Sequence, residues 1–495
     1  MYMRKTLLAL SVLFLAVTEM YAVKKMEIKA IASGEFAAKT INGIDPLPGT
    51  DQYARISDNG KQIVRYSFRT GQQTDVLFDL DKTYGEKLSK FDGYEMSPRG
   101  DKMLIRTNTE NVYRRSYKAD YYIYTIKSGK LERLSDGGKQ QVPIWSPDGN
   151  QIAFVRDNNI YLVKLLYDNA ESQVTTDGKF NEIINGLPDW VNEEEFSTNR
   201  SYCFNADGTM ICWIKYDERQ VRTYSLQQFK GSNPTHSEYE AYPGLYSYKY
   251  PKAGEVNSSV SAWSYDIKSH RTLRLQVPME AEGYMPRIQA TNDPQRIIVY
   301  TMNRHQDELN LYTVNPRSTM AQLLIKEQSK RYVQEDAMAG IIVGHSTLLI
   351  PSDRSGYMQL YLYNMAGSLL RKIGDGQHDI TGVYGYDEAT GDVYYQCAAL
   401  NPHDRQIYVT HKNGKTDRLT DQEGWNTAIF AGNYQYFINT WSNYNTPYVY
   451  TLRSQSGKVL STLLDNSALK AKTAEYGWAA RTPFTFTTSE GVTLD

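Results

Sequence analysis

The chain has 495 residues, with 55 lysines plus arginines against 56 aspartates plus glutamates. So balanced a chain carries no overall field favouring nucleic acid or an anionic membrane surface. Its three cysteines, and the lack of CxxC or HExxH spacing, exclude a small disulfide-built fold and the common zinc motifs, so no metal or cofactor is expected.

In chain order, the first element is an export signal: Arg4 and Lys5 precede an apolar run from Leu7 to Val17, and Ala22 is a small residue at a cleavage position. The run is short of the ~20 apolar residues that a spanning helix needs, so cleavage is favoured over an uncleaved signal-anchor. Residues 1–22 are therefore set apart from the fold. The expected location is exported, periplasmic or extracellular, with no membrane insertion after cleavage.

From Ser57 onward one pattern recurs: a Ser-Pro-Asp-Gly type turn followed by a strongly apolar strand. It is seen in SDNGKQIVRYSF from Ser57, SPRGDKMLIRT from Ser97, SPDGNQIAFV from Ser146 and NADGTMICWIKYDE from Asn205. The turn glycines Gly60, Gly100, Gly149 and Gly208 are 40, 49 and 59 residues apart, a period that suits four-stranded propeller blades. Weaker copies start near Asn292, Gly344, Thr390 and Gly432. Forty tyrosines and many β-branched residues agree with strands. The predicted fold class is all-β, an eight-bladed β-propeller over residues 51–470; seven blades or a pair of sandwiches are the alternatives. If Asp207-Gly208 forms a hairpin turn, Cys203 faces Cys212 across two strands. An oxidising compartment would permit a bond there, but bridges between directly paired strands are strained, and two buried free thiols are favoured.

The longest interval between the early turns contains DWVNEEEF, residues 189–196. It reads as an insertion projecting from a blade. Asp189 can cap a short helix whose first turn carries Glu193, Glu194 and Glu195, with Trp190 and Phe196 anchoring it. Taken alone, such a run is an ordinary solvated helix start or a pocket for a cation.

DWVNEEEF resembles the glutamate motif of the dipeptidyl peptidase IV family. YRRSYKADYYIY, residues 113–124, is similar to that family's arginine-bearing blade segment, and YPKAGEVN, residues 250–257, to its Tyr-Pro-Lys-Ala-Gly element. The resemblance implies a serine-type exopeptidase that releases Xaa-Pro or Xaa-Ala dipeptides from peptides with a free N-terminus. It also implies an eight-bladed propeller joined to an α/β-hydrolase domain, with a homodimer for the intact protein. By motif position, Glu194 and Glu195 are the implied binders of the substrate ammonium, Glu193 is structural, and Arg114 contacts the substrate carbonyl, with Arg115 in a neighbouring role. YPKAGEVN is read as structural, through Pro251 and Gly254. Tyr332 is a candidate pocket aromatic on no motif.

The chemistry fits those roles. A peptide α-amino group, with a pKa of ~7.7–8.0, is mostly an ammonium near neutral pH and offers three donors. Two carboxylates that receive it fix the N-terminus, and so fix which peptide bond lies two residues along. A guanidinium fork suits the intervening carbonyl and limits repulsion between the glutamates.

No Gly-x-Ser-x-Gly nucleophile elbow occurs in the sequence, so no catalytic residue is assigned in this chain. Residues 471–495 are expected to begin a truncated hydrolase domain. Residues 23–50 are expected to pack on that absent domain, and to be poorly ordered and weakly protected from hydrogen exchange without it. On this reading the chain is a substrate-recognition propeller, inactive alone. The alternative is a stand-alone exported propeller that binds a peptide or protein without catalysis.

Overall fold

The computed structural model describes residues 23–229 and 242–495; the expected signal segment, 1–22, lies outside the described residues. Eight sheets follow one another along the chain at residues 45–79, 84–133, 141–173, 183–274, 288–328, 342–373, 380–418 and 425–464, antiparallel throughout except where Tyr84–Gly85 runs parallel to Lys130–Arg133 in the second. They are the blades of an eight-bladed β-propeller. Most contain four strands paired in chain order. The first blade begins with Asp45–Pro46, earlier than the boundary expected at 51.

The repeated turn has a local cause. Gly60, Gly100, Gly149 and Gly208 all adopt φ between +66° and +69°, where a Cβ would be strained. Each glycine N–H returns to the carbonyl of the Ser or Asn that opens the turn. The side chains of Ser57, Ser97, Ser146 and Asn205 then accept from the backbone N–H that starts the next strand, at 2.9 to 3.1 Å.

The strand after the turn is strongly apolar, as its sequence predicts. In several blades it is buried on both faces: every residue of Ile297–Met302, Thr347–Ser352 and Asp392–Cys397 is buried. Each blade is sandwiched between two others, so its central strand has no solvent face. Apolar clusters fill the interfaces in turn. Phe78 and Tyr124 join blades one and two, Leu104 and Phe154 blades two and three, and Leu349 and Val393 blades six and seven. Tyr53 and Phe68 of the first blade meet Ile438 and Leu452 of the last and close the ring.

Cys203 pairs in register with Cys212, as the turn position predicted, and both are free thiols. Burial pushes the Cys203 thiol up to about 12.

Residues 23–43 run beside the C-terminal segment. The helix Ile28–Ala32 is followed by Phe36, whose ring meets Tyr476 edge-on at 5.0 Å, and Asn466 bonds both the N–H and the carbonyl of Lys39 at 2.9 and 3.0 Å. No helix of the described residues is long and apolar enough to cross a membrane.

Candidate functional site

The glutamate motif sits on a loop extruded from the first strand of the fourth blade. Ile183–Asn185 and Tyr202–Phe204 both pair with Met210–Asp217, and Asn185 and Tyr202 lie opposite Lys215 and Trp213. The loop therefore leaves and rejoins the sheet at almost one point. Its neck is closed by Gly186 N–H to Ile214 O, Ser201 N–H to Gly186 O and Ile214 N–H to Ser201 O, at 3.2, 2.9 and 2.8 Å.

Within the loop, the helix Trp190–Glu195 is capped by Asp189, whose carboxylate accepts from Asn192 N–H at 2.8 Å. Its other oxygen accepts from the Ser258 hydroxyl at 2.6 Å. The cap fixes the register. Trp190, Val191 and Asn192 open the helix, so Glu194 and Glu195 occupy its end rather than the first turn expected for them. The helix dipole is unfavourable to negative charge there. Arginine supplies the compensation. The anchors are as expected in kind: Phe196 is buried against Tyr284 at 5.4 Å, and its carbonyl accepts from Arg287 Nη2 at 2.9 Å. Trp190 lies over Tyr250 of the YPKAGEVN string, with ring centroids 4.0 Å apart.

The arginines arrive from blade two. The strands Lys102–Asn111 and Tyr117–Thr125 form a long hairpin, and Arg114 and Arg115 stand at its tip. Arg114 Nε donates to both oxygens of Glu194 at 2.8 and 3.0 Å, and Arg115 Nη1 lies 3.8 Å from the same carboxylate. Glu193 is buried, and its Oε1 accepts from the backbone N–H groups of Arg115 and Ser116 at 2.7 and 2.8 Å. Arg115 Nη2 reaches Ser197 Oγ at 2.9 Å, and Asn199 Nδ2 donates to the Arg115 carbonyl at 3.1 Å. Glu195, the last residue of the helix, is exposed. Its charge, with that of Asp189, adds to the burial that chiefly raises the Tyr284 phenol.

The structure thus joins Arg114 to Glu194, with Glu193 holding the backbone of the same tip, while Glu195 follows exposed at the end of the helix. Tyr332 is exposed, although the adjoining Val333 packs in the cluster that holds Val191 and Phe196.

Sequence reasoning missed the second support. A two-stranded ribbon, Thr223–Gln228 with Gly244–Lys249, projects from blade four, and its Tyr248 stacks near Tyr113 at 5.5 Å and Trp190 at 6.2 Å. Next to it, Glu218 is buried, and burial, with Asp189 nearby, pushes its carboxyl up to about 8. The tyrosine-rich string YSYKY was the available signal, but nothing in it names a partner. No group of three or more His, Cys, Asp or Glu side chains among the described residues is arranged to hold a metal.

Fold and site together define a β-propeller that presents, on an extruded loop, an acidic helix faced by an arginine hairpin. Residues 97–448 match the family described as the dipeptidyl peptidase IV (DPP IV) N-terminal region, and the chain belongs to that family. Relatives include the probable dipeptidyl peptidase 4 of Arthroderma benhamiae and the dipeptidyl peptidase 4 of Trichophyton rubrum. Each is 27% identical over 443 residues, covering 86% of this chain and 55% of the relative. The chain therefore spans about half the length of the curated relatives it matches. Among solved structures, Porphyromonas gingivalis dipeptidyl peptidase 4 is 35% identical with a TM-score of 0.90, over 95% of this chain and 66% of that one. A putative dipeptidyl aminopeptidase IV from Bacteroides ovatus, at 17% identity and a TM-score of 0.66 over 89% and 62%, shares the fold.

Proposed function

We propose that this chain is the substrate-recognition propeller of an exported serine-type dipeptidyl peptidase that releases N-terminal Xaa-Pro or Xaa-Ala dipeptides. Glu194 and Glu195 receive the α-ammonium of the peptide, and Arg114 holds the intervening carbonyl. The propeller binds the peptide and does not itself cut it, and the protein forms a homodimer. One observation carries the reading: Arg114 and Glu194, from different blades, meet at 2.8 Å, and the next residue, Glu195, is exposed. With the Arg114 Nε on Glu194, the two Nη groups remain for a carbonyl. The ammonium shares its three donors between the carboxylates, and each charged hydrogen bond contributes about 1.5–3 kcal/mol.

The test is calorimetric titration of this chain with glycyl-prolyl amide and with its N-acetyl derivative, alongside incubation with a glycyl-prolyl chromogenic anilide. Binding of the free amine alone, without turnover, is the expected result. Equal binding of the acetylated compound would remove the clamp from the mechanism, and turnover would overturn the assignment of chemistry to a separate domain.

A further inference from the structure

We infer that Glu193 is a positioning residue for the clamp, setting substrate affinity through the reach of one oxygen rather than through its charge; this rests on the clamp reading above. Its Oε1 alone takes both the Arg115 and Ser116 N–H groups, and the residue is only 2% exposed. The turn that supplies those N–H groups also carries Arg114, and the residue after Glu193 is Glu194. A single buried atom therefore registers the blade-two half of the clamp against the blade-four half.

Among the described residues, this oxygen is the one tie to the helix that grips the tip by its own backbone N–H groups. Beyond the Asn111–Tyr117 pair the tip leaves the strand ladder, and it is closed by Val112 N–H to Ser116 O at 2.9 Å. Pairing in the hairpin is already interrupted between Thr107 and Glu110. The remaining ties between tip and helix run through long, more exposed side chains, from Arg114 to Glu194 and from Arg115 to Glu194 and the Glu193 carbonyl, or reach Ser197 and Asn199 beyond the end of the helix. Without the Glu193 oxygen the tip can tilt, and a displacement of about 1 Å at a recognition site is enough to cost up to a hundredfold.

The surroundings separate position from folding. A cavity of ≈ 760 Å³ adjoins this contact and is lined by Tyr113, Ser116, Trp190, Glu193 and Glu218. Water entering from it can satisfy the two N–H groups once the carboxylate is gone, so their loss displaces the tip without leaving buried donors unpaired.

Two substitutions set reach against charge. Glu193→Gln loses the charge and keeps an oxygen at the same distance from the backbone. Glu193→Asp keeps the charge and retracts it by one carbon–carbon bond, about 1.5 Å. Calorimetry with glycyl-prolyl amide is expected to place Gln within about threefold of the native chain and to weaken Asp and Glu193→Ala by about tenfold or more. Hydrogen exchange of residues 112–118 should rise in Asp and Ala and stay native in Gln. The reverse order, with Asp native-like and Gln weak, would show that charge matters and overturn the inference. Native binding by Asp and Ala would overturn it as well. Glu194→Gln is the companion measurement: unchanged binding there means that the clamp reading itself has failed, whereas weak binding there beside native Glu193 variants removes the positioning role alone.

Discussion

Glu193 and Glu194 are adjacent in sequence yet grip opposite parts of the same hairpin tip. The first holds the backbone of Arg115 and Ser116; the second holds the side chain of Arg114. Burial follows the same division, with Glu193 at 2% exposure and the Glu194 side chain at 25%.

That division separates stability from binding. The Arg114–Glu194 pair is open to solvent, with the Arg114 side chain 68% exposed, so its contribution to folding is at most about 1 kcal/mol. Glu194→Gln and Arg114→Ala should leave the melting temperature near native while weakening glycyl-prolyl amide on the order of tenfold to a hundredfold, one charged hydrogen bond's worth. Scanning calorimetry and titration check the two halves, and a large fall in melting temperature would contradict the surface character of the pair.

Asp189 is the converse. Its two oxygens hold Asn192 N–H and the Ser258 hydroxyl in a buried setting, so Asp189→Ala removes a helix cap and strands a hydroxyl. The expected loss is about 2–3 kcal/mol in urea unfolding. Ser258→Ala removes only the second bond and should cost about 1 kcal/mol. Equal losses in the two variants would show that the cap adds nothing.

Glu218 gives stability a pH dependence of definite sign. Burial raises its folded value from the ordinary 4.5 to about 8. Above 4.5 the unfolded chain releases the proton while the folded chain keeps it. Stability contributed at this site therefore falls as pH rises towards 8 and is level beyond. Glu218→Gln cannot titrate. Relative to the native chain it should gain a few kcal/mol between pH 5 and pH 8 in matched urea unfolding. A constant difference across that range would contradict the raised value.

The three cysteines should titrate as free thiols in the unfolded, unreduced chain. In the folded chain Cys203 should react slowly with a disulfide reagent near neutral pH, because burial holds its thiol at about 12 and the thiolate is the nucleophile. Recovery of one thiol in place of three would reveal a Cys203–Cys212 bond.

The blades were legible because their cause is local: a Ser or Asn that locks the turn and a glycine at positive φ lie within a few residues of each other. The extruded loop was legible as an interruption of that period, and the distinct position of Glu193 followed from the family motif. The end-of-helix location of Glu194 and Glu195 was misread, although the cap at Asp189 already requires three residues before the first glutamate. Tyr250 under Trp190, Ser258 on Asp189 and Glu218 beside the ribbon stayed hidden for a different reason. Those contacts join stretches tens of residues apart, and no periodicity encodes which aromatic lies over which.

The first and last blades are each built from one continuous stretch of chain and exchange no strand. Their junction has Tyr53 and Phe68 against Ile438 and Leu452, with a turn-to-turn bond from Asn433 N–H to Thr50 O at 3.2 Å. Such a ring is a split washer. Prising it apart at this seam separates greasy surfaces and unzips no backbone ladder, so the disc has a built-in place to gape while every blade stays whole.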